Sequence, residues 1–295
     1  MTAVGRPRSI ARSYLYVPGD QPDKVARAAS RGADACILDL EDAVAPANKA
    51  TARATVSAFL ADGRAAAPAA PQWWVRLNAD TPAADIAAIA GPHLTGVVVP
   101  KADVDLLAEV HRLLGDAERE HGLPVGHVAV FALLETAGGV LRAEAVAAAP
   151  RVERLGLGEA DLAAELCLQP GPDKVELWPL RSRAVLACAV ARLAPPVGPT
   201  ETVLRDPDRL EATSRLLLRQ GFRGRTAIHP AQVPVVNRVF SPTTAEVEAA
   251  QDIIDRLGGA ERNGSGVAVT ADGRMIDAAV ARSAREVLSR AVAGR

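Results

Sequence analysis

Short β-type apolar runs alternate along this chain with longer Ala- and Leu-rich amphipathic stretches, the pattern of a parallel sheet covered by helices. Eight runs can be marked: Ser13–Val17, Ala35–Leu40, Trp73–Leu77, Gly96–Val99, Val128–Leu134, Arg154–Leu157, a weak one around Pro196–Gly198, and Arg225–Ile228. Between them Pro22–Arg31, Pro46–Ala61, Val104–Glu120, Ala137–Ala148, Lys174–Leu193 and Pro207–Gln220 repeat apolar residues every three or four positions, as a helix with one buried face does. Eight such units fit a closed α/β barrel, the (β/α)8 TIM barrel, better than an open sheet of five or six strands. The 295 residues suffice, because one barrel takes about 250. The expected organisation is a catalytic barrel over residues 1–258 and a C-terminal helical arm or cap over 259–295, with Glu261–Gly266 as the break before a last helix near Ile276–Ala293. Ala65–Gln72 is Ala/Pro-rich and reads as a loop.

Composition narrows the partners. Hydrophobic residues make up 49% and charged residues 23%, which argues against disorder, and no apolar run is long enough to span a bilayer. Basic and acidic residues number 34 and 35 and are interspersed, so no field gathers nucleic acid or an anionic membrane; a small molecule is the expected partner. The arginine-rich start MTAVGRPRSIARS has no apolar stretch behind it and does not read as a secretory signal, so the expected compartment is the cytoplasm. Cys36, Cys167 and Cys188 are widely spaced among apolar neighbours and read as core residues.

In a barrel enzyme the chemistry sits where strands end and loops begin. The residues at those points are Asp20, then Asp39, Glu41 and Asp42, then Arg76 and Asn78, Lys101, Glu135, Glu159 and Asp161, and His229. Isolated charges are costly to desolvate, so this many on one rim implies mutual pairing or a bound ion. Glu135 and Asp161 end consecutive strands, and adjacent strands lie about 5 Å apart. Two carboxylates that close favour a hard cation such as Mg²⁺, with Mn²⁺ as an alternative. The plainer reading is a solvated Glu135 and an Asp161 that only caps a helix at Leu162–Cys167. Asp39, Glu41 and Asp42 either support waters of the same ion or form an acidic helix N-terminus. Arg76, inside the apolar run WWVRLN, either makes a structural ion pair or grips a substrate carboxylate. Lys24 and Lys101 read as solvated, His229 as a satisfied turn residue, and Asp277 as a cap for the last helix. No GxGxxG, P-loop, HExxH or GxSxG occurs.

At these residues the chain resembles the citrate lyase β-subunit-like branch of the HpcH/HpaI aldolase family. The blocks that carry the resemblance are RSYLYVPGD (Arg12–Asp20), ADACILDLEDAVAP (Ala33–Pro46), WVRLN (Trp74–Asn78), VVVPKA (Val97–Ala102), LLETAGGVL (Leu133–Leu141), LGLGEADLAAEL (Leu155–Leu166), RSRAVLA (Arg181–Ala187), GFRGRTAIHPAQV (Gly221–Val233) and GRMID (Gly273–Asp277). The resemblance implies a TIM barrel assembled as a trimer or hexamer, with Mg²⁺ on Glu135 and Asp161. It implies that Arg76 holds the oxygens of a 2-oxo acid, that Glu41 and Asp42 place metal waters, and that Arg12 and Lys24 meet CoA phosphates. It also implies that Asp277 reaches a neighbouring subunit's site as an acid/base. Thr200–Asp206, Ala160 and Ala278 depart from the family pattern and leave the substrate open.

The expected reaction is cleavage of a 3-hydroxyacyl-CoA thioester of malyl, citramalyl or citryl type into a 2-oxo acid and an acyl-CoA, with CoA as part of the substrate. Two alternatives stand beside it: a thioesterase or synthase built on the same enolate chemistry, and a citrate lyase β subunit that works with an acyl-carrier protein.

Overall fold

The computed structural model describes residues 10–67 and 70–293, so the loop expected over Ala65–Gln72 lies partly outside the described residues. Contacts divide the described backbone into two units, one over Ala11–Asn237 and one from Arg238 onward.

The first unit is a parallel α/β barrel. Its strands are β1 (Ser13–Pro18), β2 (Ala35–Asp39), β3 (Gln72–Arg76), β4 (Gly96–Val99), β5 (Ala129–Leu134), β6 (Val152–Leu157) and β7 (Arg225–Ala227). They pair in the order β6-β5-β4-β3-β2-β1-β7. The weak run around Pro196–Gly198 forms no strand. It supplies two isolated bridges, Gly156 with Val197 and Gly198 with Arg225, which close the gap between β6 and β7. The cause is local: Pro195, Pro196 and Pro199 lack N–H donors, and only Val197 and Gly198 between them donate, to Leu155 and Gly224 at 2.8 Å each.

The helices are α1 (Pro22–Arg27), α2 (Lys49–Ala61), α3 (Pro82–Ile89), α4 (Val104–Glu120), α5 (Ala137–Leu141), α6 (Ala143–Ala147), α7 (Glu159–Glu165), α8 (Trp178–Ala191), α9 (Pro207–Arg219), α10 (Val233–Phe240), α11 (Thr244–Arg262) and α12 (Ala278–Ala293). α3 is short and is not read from the sequence, although Pro82 at its start is a helix-opening signal. None of the described helices is long and apolar enough to cross a membrane.

Strand periodicity explains how the barrel is filled. Side chains two apart share a face, so β1 sends Tyr14 and Tyr16 inward, β2 sends Ala35, Ile37 and Asp39, β3 sends Trp74 and Arg76, and β5 sends Phe131, Leu133 and Glu135. The inner members form one apolar cluster. Tyr14, Trp74 and Phe131 meet edge to face, with ring centroids 5.5 to 6.2 Å apart, and plug the end of the barrel where the strands begin. Gly96 and Gly156 leave room for Trp74 and Phe131, whose rings would collide with any Cβ there. One or two residues further along each strand the inward positions turn polar.

The second unit has its own small core. Leu257 of α11, Ile276 and Ala281 pack with Ile253, Ile254, Ala268 and Val280, joining α11, an antiparallel hairpin of β8 (Ala268–Val269) and β9 (Met275–Ile276), and α12. The sequence places the division at residue 258; the contacts place it before Arg238, because α11 shares this core.

One buried ion pair fixes the strands that carry the site. Glu118 of α4 accepts from Arg151 at 2.6 and 2.8 Å and from the backbone N–H groups of Gly126 and Val128 at 2.8 Å each. It thereby ties α4 to the starts of β5 and β6. Burial pushes its carboxyl up, but Arg151 and the two backbone donors outweigh burial and hold it below the usual carboxylate range. A depressed carboxylate stabilises the fold above its unfolded pKa of about 4.3 and loses that contribution as pH falls through the folded value. Glu118→Ala should cost about 3 kcal/mol in denaturant titrations at pH 7, because it leaves Arg151 buried and unpaired. The wild-type advantage over this variant should shrink as the same titrations are taken below pH 4.

Candidate active site

A cavity of 530 Å³ opens where the barrel strands end, lined by Tyr16, Asp39, Asp42, Arg76, Glu135, Glu159, Asp161 and Lys174 among others. Asp39 and Arg76 are register partners on β2 and β3, so both face it. Arg76 donates through Nε and Nη2 to the two oxygens of Asp39 at 2.7 and 2.6 Å. Its Nη1 lies 2.8 Å from Glu41 Oε2 and 3.2 Å from Asp42 Oδ2, and its guanidinium sits 5.0 Å over the Tyr16 ring. Burial alone would lower the Arg76 pKa; Asp39, then Tyr16 and Glu41, more than reverse this. Arg76 therefore makes the structural ion pair that the sequence offers as one of its two readings, and it also lines the cavity.

Lys101 does not read as part of the site in the sequence, yet it links two of its carboxylates. Its Nζ reaches Glu41 Oε1 at 3.0 Å, and its backbone N–H donates to Glu135 Oε1 at 2.8 Å. Lys101 adopts a left-handed φ of 48°, a conformation that costs a non-glycine residue roughly 1 kcal/mol or more. The lysine is exposed, as the sequence leads one to expect, and in addition its ammonium is paired with Glu41.

Glu135 is buried, and Asp161 stands in the first turn of α7. Both border Gly158. A Cβ at Gly158 would sit 2.5 Å from Glu135 Oε2 and 3.4 Å from Asp161 Oδ2, so those two oxygens are no further apart than these lengths laid end to end. Burial pushes the Glu135 carboxyl up to about 7; the Lys101 N–H opposes this, and Glu41 and Asp161 add to it. Burial likewise raises Glu41 against the pull of Arg76 and Lys101. The described residues contain no group of three or more His, Cys, Asp or Glu arranged to hold a metal. Two carboxylates still fit Mg²⁺, which keeps waters and substrate oxygens in its remaining positions, and a cation there would offset the burial of Glu135.

On the far wall one carboxylate is held by two cations. Glu159 is buried against Arg181 at 2.6 Å and Lys174 at 3.3 Å. Tyr16 and Lys174 are cavity-lining residues that sequence reasoning misses; Tyr16 lies within the first strand run and could have been raised by the period-two pattern that also places Arg76.

The other candidates lie elsewhere. Arg12 precedes β1 and binds Asp34, which precedes β2, at 2.7 and 2.8 Å; both therefore sit where strands begin, and Arg12 is not brought to the cavity. Lys24 is exposed on α1. His229 accepts from the Ala231 N–H in a turn. Asp277 belongs to the second unit, where its Oδ1 accepts from the N–H groups of Ala279 and Val280 and caps α12. Cys36 and Cys188 are buried, but Cys167 is exposed and is not a core residue.

The model of HpcH/HpaI aldolase/citrate lyase matches residues 12–230, most of this barrel. The chain belongs to that family. It is 36% identical over 292 residues to a (3S)-malyl-CoA thioesterase of Cereibacter sphaeroides, covering 96% of this chain and 95% of the relative. It is 32% identical over 284 residues to the citrate lyase subunit beta of Leuconostoc mesenteroides subsp. cremoris, covering 95% and 92%. The structure of CitE from Mycobacterium tuberculosis, in complex with magnesium, acetoacetate and coenzyme A, superposes with a TM-score of 0.74 at 28% identity, covering 95% of this chain and 98% of that one. The chain is thus an enzyme of the citrate lyase/HpcH aldolase family with its TIM-barrel-like fold.

Gly158 stands between the two carboxylates, and a Cβ there would press on the Glu135 side chain. If Glu135 and Asp161 hold Mg²⁺, Gly158→Ala should weaken its binding by about 10–100-fold, read by titration calorimetry with Mg²⁺, while circular dichroism keeps the wild-type signature.

Proposed function

We propose that this enzyme is a Mg²⁺-dependent carbon–carbon lyase that cleaves a 3-hydroxyacyl-CoA thioester of the malyl, citramalyl or citryl type into a 2-oxo acid and an acyl-CoA. The observation that carries the reading is the meeting of Glu135 and Asp161 across Gly158 on the rim of the cavity that Arg76 lines. The bound relative, CitE with magnesium, acetoacetate and coenzyme A, supports it.

In this reading Glu135 and Asp161 hold Mg²⁺ or Mn²⁺, which when bound acts as a Lewis acid toward substrate oxygens. Arg76, fixed by Asp39, offers N–H donors to the hydroxyl oxygen that becomes the ketone of the 2-oxo acid. Glu41 and Asp42 hold Arg76 in place and orient water near the cation. The hydroxyl proton passes to cavity water, an oxygen lone pair becomes the second bond of the ketone, and the electron pair of the breaking carbon–carbon bond passes to the thioester as its enolate. Asp277, from the C-terminal unit of a neighbouring chain in a homotrimer or hexamer, supplies or removes the proton at the thioester α-carbon. Lys24 and Arg12 are the candidates for CoA phosphates; Arg12 would meet one from its place before β1, where it also pairs with Asp34.

Hydrolysis of the thioester is the second reading, favoured by the 36% identical malyl-CoA thioesterase. Product analysis separates the two: malyl-CoA should yield glyoxylate and acetyl-CoA in a lyase, and malate and free CoA in a thioesterase. Activity should vanish in EDTA and return with Mg²⁺. Arg76→Lys should lower kcat/KM by about 10²-fold, since an ammonium cannot keep the bidentate contact to Asp39 and reach the substrate. Metal-independent turnover, or no turnover of any of the three thioesters, overturns the reading; activity only on acyl-carrier-protein esters would place the chain in a citrate lyase complex.

A further inference from the structure

Tyr16 is one inward step beyond Tyr14 on β1, and the two phenols have different surroundings. Tyr14 is closed in by Trp74, Phe131 and the Arg154 guanidinium, 5.6 Å from its ring. Tyr16 lies at the edge of the apolar cluster and lines the cavity. Its ring forms the floor under Arg76 at 5.0 Å. A phenylalanine would serve that purpose equally, because the attraction of a cation for an aromatic face needs only the ring.

The hydroxyl therefore needs another account. Tyr16 is only partly buried, and its hydroxyl is not among the buried unpartnered polar atoms of the described residues, so it is a donor that the cavity can reach. The Tyr16 hydroxyl has no hydrogen-bond partner among the described residues. It lies in the field of Arg76, Asp39, Glu135 and Glu41, the groups that define the candidate site. Burial raises its pKa well above the ordinary phenol range and the three carboxylates add to this, against the pull of Arg76, so the group keeps its proton as a donor. An acceptor that enters the cavity beside Arg76 therefore meets a phenol donor that no described protein group engages.

We propose that the Tyr16 hydroxyl donates a hydrogen bond to the substrate oxygen that Arg76 also serves, the one that is a hydroxyl in the thioester and a ketone in the 2-oxo acid. Tyr16 and Arg76 then approach this oxygen as two donors from neighbouring places on the barrel wall, the phenol beneath the guanidinium. The ligand class is a 2-oxo acid or its 3-hydroxyacyl precursor, and the inference rests on the lyase reading above.

Tyr16→Phe tests it, since the ring and its contact with Arg76 remain. With Mg²⁺ and the thioester that the wild type turns over, kcat should fall at least tenfold with KM changed less, because a donor to developing oxyanion charge acts in the transition state. Mg²⁺-dependent binding of pyruvate, glyoxylate or oxaloacetate, measured by calorimetry, should weaken as well, and the thermal melt should match the wild type. Wild-type kcat and 2-oxo acid affinity in Tyr16→Phe overturn the inference while leaving the lyase reading intact. If the wild type turns over no thioester, the lyase reading falls and the binding arm decides: weaker 2-oxo acid binding in Tyr16→Phe keeps the donor role, and equal or absent binding removes it.

Discussion

The bidentate contact between Arg76 and Asp39 organises the polar end of this barrel. A guanidinium on the inner face of β3 is largely withdrawn from water, and its charge is tolerated there because a register partner on β2 supplies a carboxylate with matching geometry. Arg76 in turn allows Glu41 to stay beside it. Glu41 fixes the Lys101 ammonium, and the left-handed backbone of Lys101 directs its N–H to Glu135. Each group in this series is tolerable because of the one before it. A change at Asp39 would therefore be felt at Glu135, two strands beyond Arg76.

Charge balance distinguishes the two walls of the cavity. On one side the single carboxylate of Glu159 is matched by two cations, Arg181 and Lys174, an arrangement that packs α7 against the start of α8. On the other stand five carboxylates, Asp39, Glu41, Asp42, Glu135 and Asp161, with Arg76 and Lys101 paired to the first three. Burial raises the Glu135 carboxyl to about 7, and its acidic neighbours Glu41 and Asp161 add to this. Excess negative charge in a cavity that water can reach is the condition for holding a divalent cation. The acidic wall is thus the one with negative charge left over, while on the opposite wall the cations outnumber the carboxylate they hold.

The barrel itself is built by alternation. Aromatic rings fill the end where strands begin, so the inward positions nearest the strand ends are free to carry charge without opening a void beneath them. The proline-rich segment at 195–199 closes the ring with two bridges where a full strand would have needed N–H donors it does not have. This leaves the eighth position with the least regular backbone of the wall, beside Thr200 and Thr202, which also border the cavity.

Much of this was legible beforehand. Period-two apolar runs and three-to-four-residue spacing determine strands and helices locally, so seven of the eight expected strand positions, the barrel-type fold and the placing of Arg76, Glu135 and Asp161 at strand ends followed from residue order alone. Family membership followed equally, because motif blocks are linear. What the sequence left undecided depends on contacts between distant positions. Arg12 and Arg76 are both arginines beside strands, and only the fold shows that one meets Asp34 where strands begin and the other meets Asp39 where they end. Lys101 looks merely solvated until the fold brings Glu41, sixty positions away, to its ammonium. Tyr16 looks like one more core aromatic until the aromatic plug proves to stop one layer below it. Sequence determined which residues could be charged, inward and near a strand end; tertiary structure decided which charges cancel, because cancellation depends on distances that residue order does not contain.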